Sequence, residues 1–174
     1  MAFLNLQIDC NDIPKATDLQ MEPMAPAYLR EVLTQHLIGW GIILPVSFVP
    51  YLLVVNPETL KNGLLLLPLA VLLLAALIVP LAIKRVRVKS MAMREHDIAY
   101  CSGLFWRKTV MLAFNRIQHI EVSSGPLQRR FGLASLKFFT AGGSSVDLKI
   151  DGLKRGRAEQ LREYILQRSA GTAP

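Results

Sequence analysis

Three histidines, two cysteines and several serines are the side chains here that could ligate a metal or attack a carbonyl, and their spacing decides against both. His36, His96 and His119 stand far apart, with no pair at i, i+4 and no cysteine beside them, whereas a metal site needs convergent ligands. Cys10 and Cys101 are too isolated for a disulfide framework or a Cys-based zinc site. Ser123-Ser124 is not set in a G-x-S-x-G elbow before a helix, and Gly142-Gly143-Ser144 lacks the Lys-Ser/Thr ending of a phosphate loop. No catalytic, cofactor or metal residue is therefore expected.

What remains is charge. Lys84, Arg85, Arg87, Lys89, Arg107, Lys108, Arg129 and Arg130 could hold a surface against anionic headgroups or an acidic partner, each near-surface cation adding about 1 kcal/mol. The plainer reading, a topology signal followed by a solvated face, is compatible with it. Nucleic acid is not expected, because Phe105, Trp106, Phe138 and Phe139 are not interleaved with cations as on an RNA platform.

These cations are unevenly placed along the 174 residues, whose net charge is +7. Residues 1–83 hold three Lys/Arg against six Asp/Glu, net −3, and residues 84–174 hold seventeen against seven, net +10. The acidic half carries two uncharged apolar runs, Leu37 to Val55 and Leu64 to Ile83. At about 1.5 Å per residue each reaches about 30 Å, the hydrocarbon thickness of a bilayer. Pro45, Pro50, Pro68 and Pro80 fit membrane helices better than soluble ones. Asn56 to Gly63 makes the turn between them, so residues 27–83 are expected to form a membrane hairpin behind a mobile arm, residues 1–26. KRVRVK after Ile83 marks the cytoplasmic side, and two spans return the N-terminus there.

Beyond Lys84 the period changes to alternation. Arg85 to Lys89, and segments 98–105, 108–114, 117–122, 134–140 and 145–150, predict six short antiparallel strands. Val110, Leu112, Phe114, Ile120, Val122, Leu136, Phe138, Val146, Leu148 and Ile150 would face inward. Asp151 could cap a final helix with Ala158, Leu161, Tyr164 and Ile165 on one face. A small antiparallel barrel closed by one helix, residues 84–170, would fold on its own, leaving residues 171–174 as a tail.

The run RIQHIEVSSGPLQRRFGLASLKFFTAGG, Arg116 to Gly143, followed by an apolar strand and an Ala-containing helix, resembles the bacterial pleckstrin-homology-like (PH-like) domain of YdbS-type membrane proteins. Two spans before one such domain match that layout, and the resemblance covers about residues 28–168, although Phe114-Asn115 departs from the Pro- or Ser-containing approach of the family. It implies a membrane helical hairpin plus a mainly β PH-like barrel, no enzymatic chemistry, and a companion membrane protein carrying several copies of the domain. The expected protein is a non-enzymatic scaffold or binding module in the bacterial inner membrane, both termini cytoplasmic. The alternative is an accessory subunit of a transport, export or resistance complex. Gly39, Gly41 and Ser47 offer a small-residue surface for a partner helix, and neither span has an ionisable residue in its interior to carry ions.

Overall fold

The computed structural model describes residues 19–53, 66–140 and 146–170. The first 18 residues, the expected turn at Asn56 to Gly63, the Ala141 to Ser144 turn and the 171–174 tail lie outside these.

Two long helices carry the apolar runs. Helix α1 spans Pro26–Leu53 (28 residues) and α2 spans Leu66–Arg87 (22 residues). They pack on each other. Their outer faces leave Leu37, Leu66, Leu73 and Leu77 exposed, which suits hydrocarbon rather than water. Both are long enough to cross a bilayer. Pro68 and Ala75 are buried in the pair. A Cβ at Gly39 or Gly41 would meet nothing, so these glycines do not serve the contact between the helices. Buried Ser47 turns its hydroxyl back onto the Leu44 carbonyl at 2.6 Å, satisfying itself within the helix.

The basic half folds as two antiparallel sheets. One has the order β1-β2-β3-β4, from Glu22–Pro23, Ser90–Met93, Asp97–Ser102 and Lys108–Ala113. A single 3-10 turn, Phe114–Arg116, leads into the second, β5-β6-β7, from Ile117–Ser123, Leu133–Thr140 and Leu148–Lys154. The five-residue helix α3, Pro126–Arg130, bridges β5 and β6, and α4, Arg155–Ala170, lies against the second sheet. One core takes side chains from both sheets and α4: Ile98, Leu133, Leu136, Phe138, Ile150, Ala158 and Ile165 are completely enclosed. Seven of the ten expected inward residues are buried, while Val110 and Val122 are half-buried at its margin.

Four expectations need correction. Arg85 to Lys89 is not a strand, because α2 continues to Arg87 and β2 starts only at Ser90. Extending an existing helix is cheap, Lys and Arg are good helix formers, and cations are favourable at a helix C-terminus. Val86 still turns inward and is buried, which a helix satisfies as well as a strand does. Val146 is 39% exposed and precedes β7. Asp151 caps no helix: it lies within β7, which runs on to Lys154 opposite Leu133 before α4 begins. Tyr164 is also 39% exposed, packing only its edge on Phe114 at 6.4 Å, whereas Ala158, Leu161 and Ile165 are buried.

The domain boundary moves as well. Residues 22–28 belong to the folded domain rather than to an arm: Glu22 pairs with Met91, Pro23 with Ser90, and Met24 and Tyr28 are 7% exposed in the common core. A fragment beginning at residue 84 would lack these side chains.

Candidate membrane-facing site

Both helices meet the domain at one end, and no flexible linker separates them from it. The first turns of α1 rest on β7 and α3, and α2 is joined to β2 through Val88 and Lys89 alone. The seam is tight. Ala25 N–H donates to the Gly152 carbonyl at 3.1 Å, and the Tyr28 ring lies on Gly152. Gly152 has φ +81°, and a Cβ there would stand 2.4 Å from two Tyr28 ring carbons. Glycine is required twice over, by its left-handed backbone and by the ring. From the other helix Lys89 Nζ donates to the Tyr28 hydroxyl at 2.7 Å. The ammonium sits 5.0 Å from the ring centroid, beyond the hydroxyl, so the contact is a hydrogen bond more than a cation over a π face.

A polar chain, exposed at Gly125 and buried at Ser135, runs behind this seam. Gly125 N–H donates to Gln128 Oε1 at 3.1 Å, Gln128 Nε2 to Ser135 Oγ at 3.1 Å, and Ser135 Oγ to Asp151 Oδ1 at 2.7 Å. Lys149 reaches the same Asp151 oxygen at 3.0 Å. Ser135 is 2% exposed and sits where the register between β6 and β7 slips, between Ala134 and Leu136. The irregularity sets two β7 residues, Asp151 and Gly152, against the single Ser135 of β6, as a bulge does when one strand carries an extra residue. Burial pushes the Asp151 carboxyl up, but the Ser135 hydroxyl and the Lys149 ammonium outweigh it and hold the pKa below the usual carboxylate value. Glu31, 7% exposed on α1, adds a second acid to this side of the seam. Nothing here is arranged as a nucleophile with a base. It is a clasp of donors and acceptors that fixes the domain to the helices.

The eight cations distribute around this end. Lys84, Arg85 and Arg87 ring the last turn of α2, all exposed. Lys89 is the half-buried one and belongs to the clasp. Arg85 and Lys89 border a cleft between the helix bases, about 470 Å³, whose walls include Tyr28, His36, Ile78 and Leu81. Arg129 and Arg130 end α3, which lies beside α1. Arg107 and Lys108 stand at the β3–β4 turn, and the register brings that turn to the same end, since Ser90 pairs with Cys101 and Ser102 with Lys108. The structure thus gathers all eight at the helix-bearing end. Apart from Lys89, none has a side-chain partner among the described residues. Arg116 and Arg162 lack one too, so position, not loneliness, distinguishes the group.

The histidines stay apart: His36 Nδ1 lies 2.8 Å from the Val32 carbonyl, His96 is exposed before β3, and His119 leans on Phe139 at 5.7 Å. Cys101 is half-buried in β3, and Cys10 lies outside the described residues. Sequence reasoning missed the clasp altogether. Its members include one Tyr, one Gln, one Ser and two acids drawn from four separate segments, and the available signal was a lone glycine inside the strand DGLK, which marks a close approach.

Comparison with known proteins places the chain in a family. The UPF0699 transmembrane protein YdbS of Bacillus subtilis (strain 168) is 34% identical over 98 residues, 55% of this chain and 60% of the relative. The match therefore spans less than two thirds of that protein's length. A crystal structure of a DUF1696 family protein with a pleckstrin-homology domain, from Shewanella loihica PV-4, overlaps 47% of this chain and 70% of its own at 14% identity and a TM-score of 0.37. Residues 26–169, including both apolar helices, match the bacterial PH domain family. The chain belongs to that family, the bacterial PH domain proteins, as a membrane protein of the YdbS type.

Proposed function

We propose that this chain is a non-enzymatic, membrane-anchored scaffold or binding module of the bacterial inner membrane, with both termini in the cytoplasm. The single observation behind it is the clasp. Tyr28 on Gly152 and Lys89 on Tyr28 hold the domain directly against the bases of both helices, with seven further cations around the same end. A domain tethered so closely displays its remaining surface at a fixed distance from the lipid, which raises the effective concentration of any weak headgroup or protein contact. The basic flank of α2 supports the cytoplasmic side for the domain. Its protein partner, on the family resemblance, is a longer membrane protein with several PH-like domains.

Affinity capture of the detergent-solubilised full chain, with mass spectrometry of what comes down in stoichiometric amount, tests this. A membrane protein with repeated PH-like domains supports the scaffold. A transporter or exporter supports the alternative of an accessory subunit, which draws on the apolar cleft of about 640 Å³ between α1 and α2, lined by Leu33, Trp40, Leu72, Ala75, Val79 and Pro80. Recovery of the chain alone removes both protein-partner readings and leaves the lipid surface.

A further inference from the structure

The β3–β4 turn exposes two aromatic rings that no packing argument explains. Trp106 is 88% exposed and Phe105 72%, the highest values among the domain's large apolar side chains, and they meet edge to face at 6.5 Å. The turn is built to present them. Gly103 has φ +100°, and a Cβ there would collide with the Trp106 carbonyl, so the chain can fold back on itself only with glycine at that point. Arg107 and Lys108 follow at once, both exposed and without side-chain partners among the described residues.

The sheet register says where this tip points. Strand β2 leaves the end of α2 at Ser90, Ser90 pairs with Cys101, and the chain from Ser102 to Lys108 projects beyond that edge, back toward the helices. Strand β1 agrees, because Pro23 pairs with Ser90 just before α1 starts at Pro26. At about 3.3 Å per residue, the tip reaches roughly 10 Å past Ser90. The cationic turn of α2 lies within about 11 Å of Ser90, since Lys84 precedes Arg87 by about 4.5 Å of helix and two residues of connection follow. The headgroup layer, roughly 5–8 Å deep on each side of the hydrocarbon, begins there. Trp beside Phe with adjacent Arg and Lys is the composition that partitions into this layer: amphipathic rings at headgroup level and cations against lipid phosphates.

We propose that the Phe105-Trp106 tip is an interfacial anchor, seated in the headgroup layer of the leaflet from which the hairpin emerges and giving the domain a third point of attachment beside the two helices. The proposal rests on the reading of the chain as a membrane-held module, yet it can fail separately. With three points of contact the domain cannot swing about the helix bases, so the face it turns to the cytoplasm is fixed.

The chain has two tryptophans, which makes the test direct. The full-length Trp40→Phe variant, leaving Trp106 alone, is placed in nanodiscs of plain or of brominated phosphatidylcholine, with bromine near the top of the acyl chains. Trp106 emission is expected to shift to the blue and to fall by roughly half in brominated discs, because an indole at the interface touches that depth. The Trp106→Phe variant, reporting Trp40 inside α1, is the reference for a residue in the bilayer. If Trp40 responds to bromine and Trp106 does not, and aqueous iodide quenches Trp106 freely, the anchor is refuted while the membrane hairpin stands. If neither responds, the membrane reading falls with it. Shielding of Trp106 from iodide only in discs cut from native membranes, and not in synthetic ones, overturns the lipid anchor in favour of a protein partner on the tip.

Discussion

The two ends of the PH-like domain use the same residue types in opposite ways. At the end away from the helices most arginines are tied to acids: Arg94 to Asp97 at 3.7 Å, Arg168 to Glu95 at 3.3 Å, and, on the flank of α4, Arg157 to Glu22 at 3.6 Å, with Arg116 an exception among the described residues. At the helix-bearing end Lys84, Arg85, Arg87, Arg107, Lys108, Arg129 and Arg130 have no acid within reach among the described residues, while the acids that are present, Glu31 and Asp151, are turned inward to the clasp. A net +10 in the second half of the chain says nothing about where charge is available. Pairing decides that. The far end is close to neutral in its contacts, and the near end keeps its positive field and its polar bonds in separate layers.

If the near end is a structural clasp over a shared core, the largest effects come from the core beneath it. Leu148→Asp, at a site 5% exposed, would bury an unpaired carboxylate and unfold the domain, a loss of several kcal/mol seen as disappearance of the monodisperse peak in detergent. Lys149→Ser, next to it but facing out, removes only an ion pair with Asp151 whose lysine is half exposed, and costs about 1 kcal/mol or less. Equal loss in both would mean that this strand does not present alternate faces to core and solvent.

The clasp itself is tested next. Gly152→Ala forces a side chain into a left-handed backbone and into the Tyr28 ring, and is expected to cost about 2–4 kcal/mol in thermal unfolding of the detergent-solubilised chain. In the Tyr28→Ala background the same substitution should cost only the backbone share, about 1 kcal/mol. Additive losses would place the strain elsewhere and detach α1 from the argument.

Acid provides a smaller effect with a definite sign. The Asp151 carboxyl is held below its ordinary pKa in the folded chain, so its contribution to stability is complete above the unfolded value of about 3.9 and drains away as pH falls through the lower folded value. Asp151→Asn should lower stability by on the order of 1 kcal/mol at neutral pH and flatten the acid limb of the unfolding curve below about pH 4. An unchanged acid limb would show that Ser135 and Lys149 do not act on this carboxylate.

Much of the architecture was legible in the residues because it rests on local patterns. Uncharged runs of bilayer length and the alternation in LKFF and KTVML each describe one element by itself. The errors fall where distant segments decide the outcome. Arg85 to Lys89 alternates like a strand, but it follows a helix that had only to continue. Glu22 to Tyr28 has no period of its own, yet it supplies a strand and a core aromatic because β2 and β7 leave room for them. Asp151 looks like a cap by its place before an Ala-containing helix, and becomes a clasp residue because a register slip sets it and Gly152 against Ser135, sixteen positions earlier, whose hydroxyl donates to it. The cations can be picked out one by one, but nothing in their spacing tells that β3 returns Arg107 and Lys108 to the helix-bearing end.

The smallest expected effect is also the one that would most sharpen the contrast between the ends. Two charge-neutral sets can be compared in the full chain: Arg94→Gln with Arg168→Gln at the far end, and Arg107→Gln, Lys108→Gln, Arg129→Gln and Arg130→Gln at the near end. Neither should disturb the core. The far set removes two exposed ion pairs, worth at most about 1 kcal/mol each, and the near set removes no pair at all, so its unfolding midpoint should stay at the parent value or rise slightly as like charges are relieved. The readout that separates them is hydrogen exchange in nanodiscs of anionic and of neutral lipid. In the parent, α3 and the β3–β4 turn should be better protected on anionic discs at low salt, and that difference should shrink at high salt as the screening length falls to a few ångströms. The near set should shrink the difference strongly, since four of the domain's cations on that end no longer feel the leaflet's potential, while the far set should leave it intact. Protection lost equally in both sets would mean that the whole domain's charge, rather than its unpaired end, is what the membrane reads.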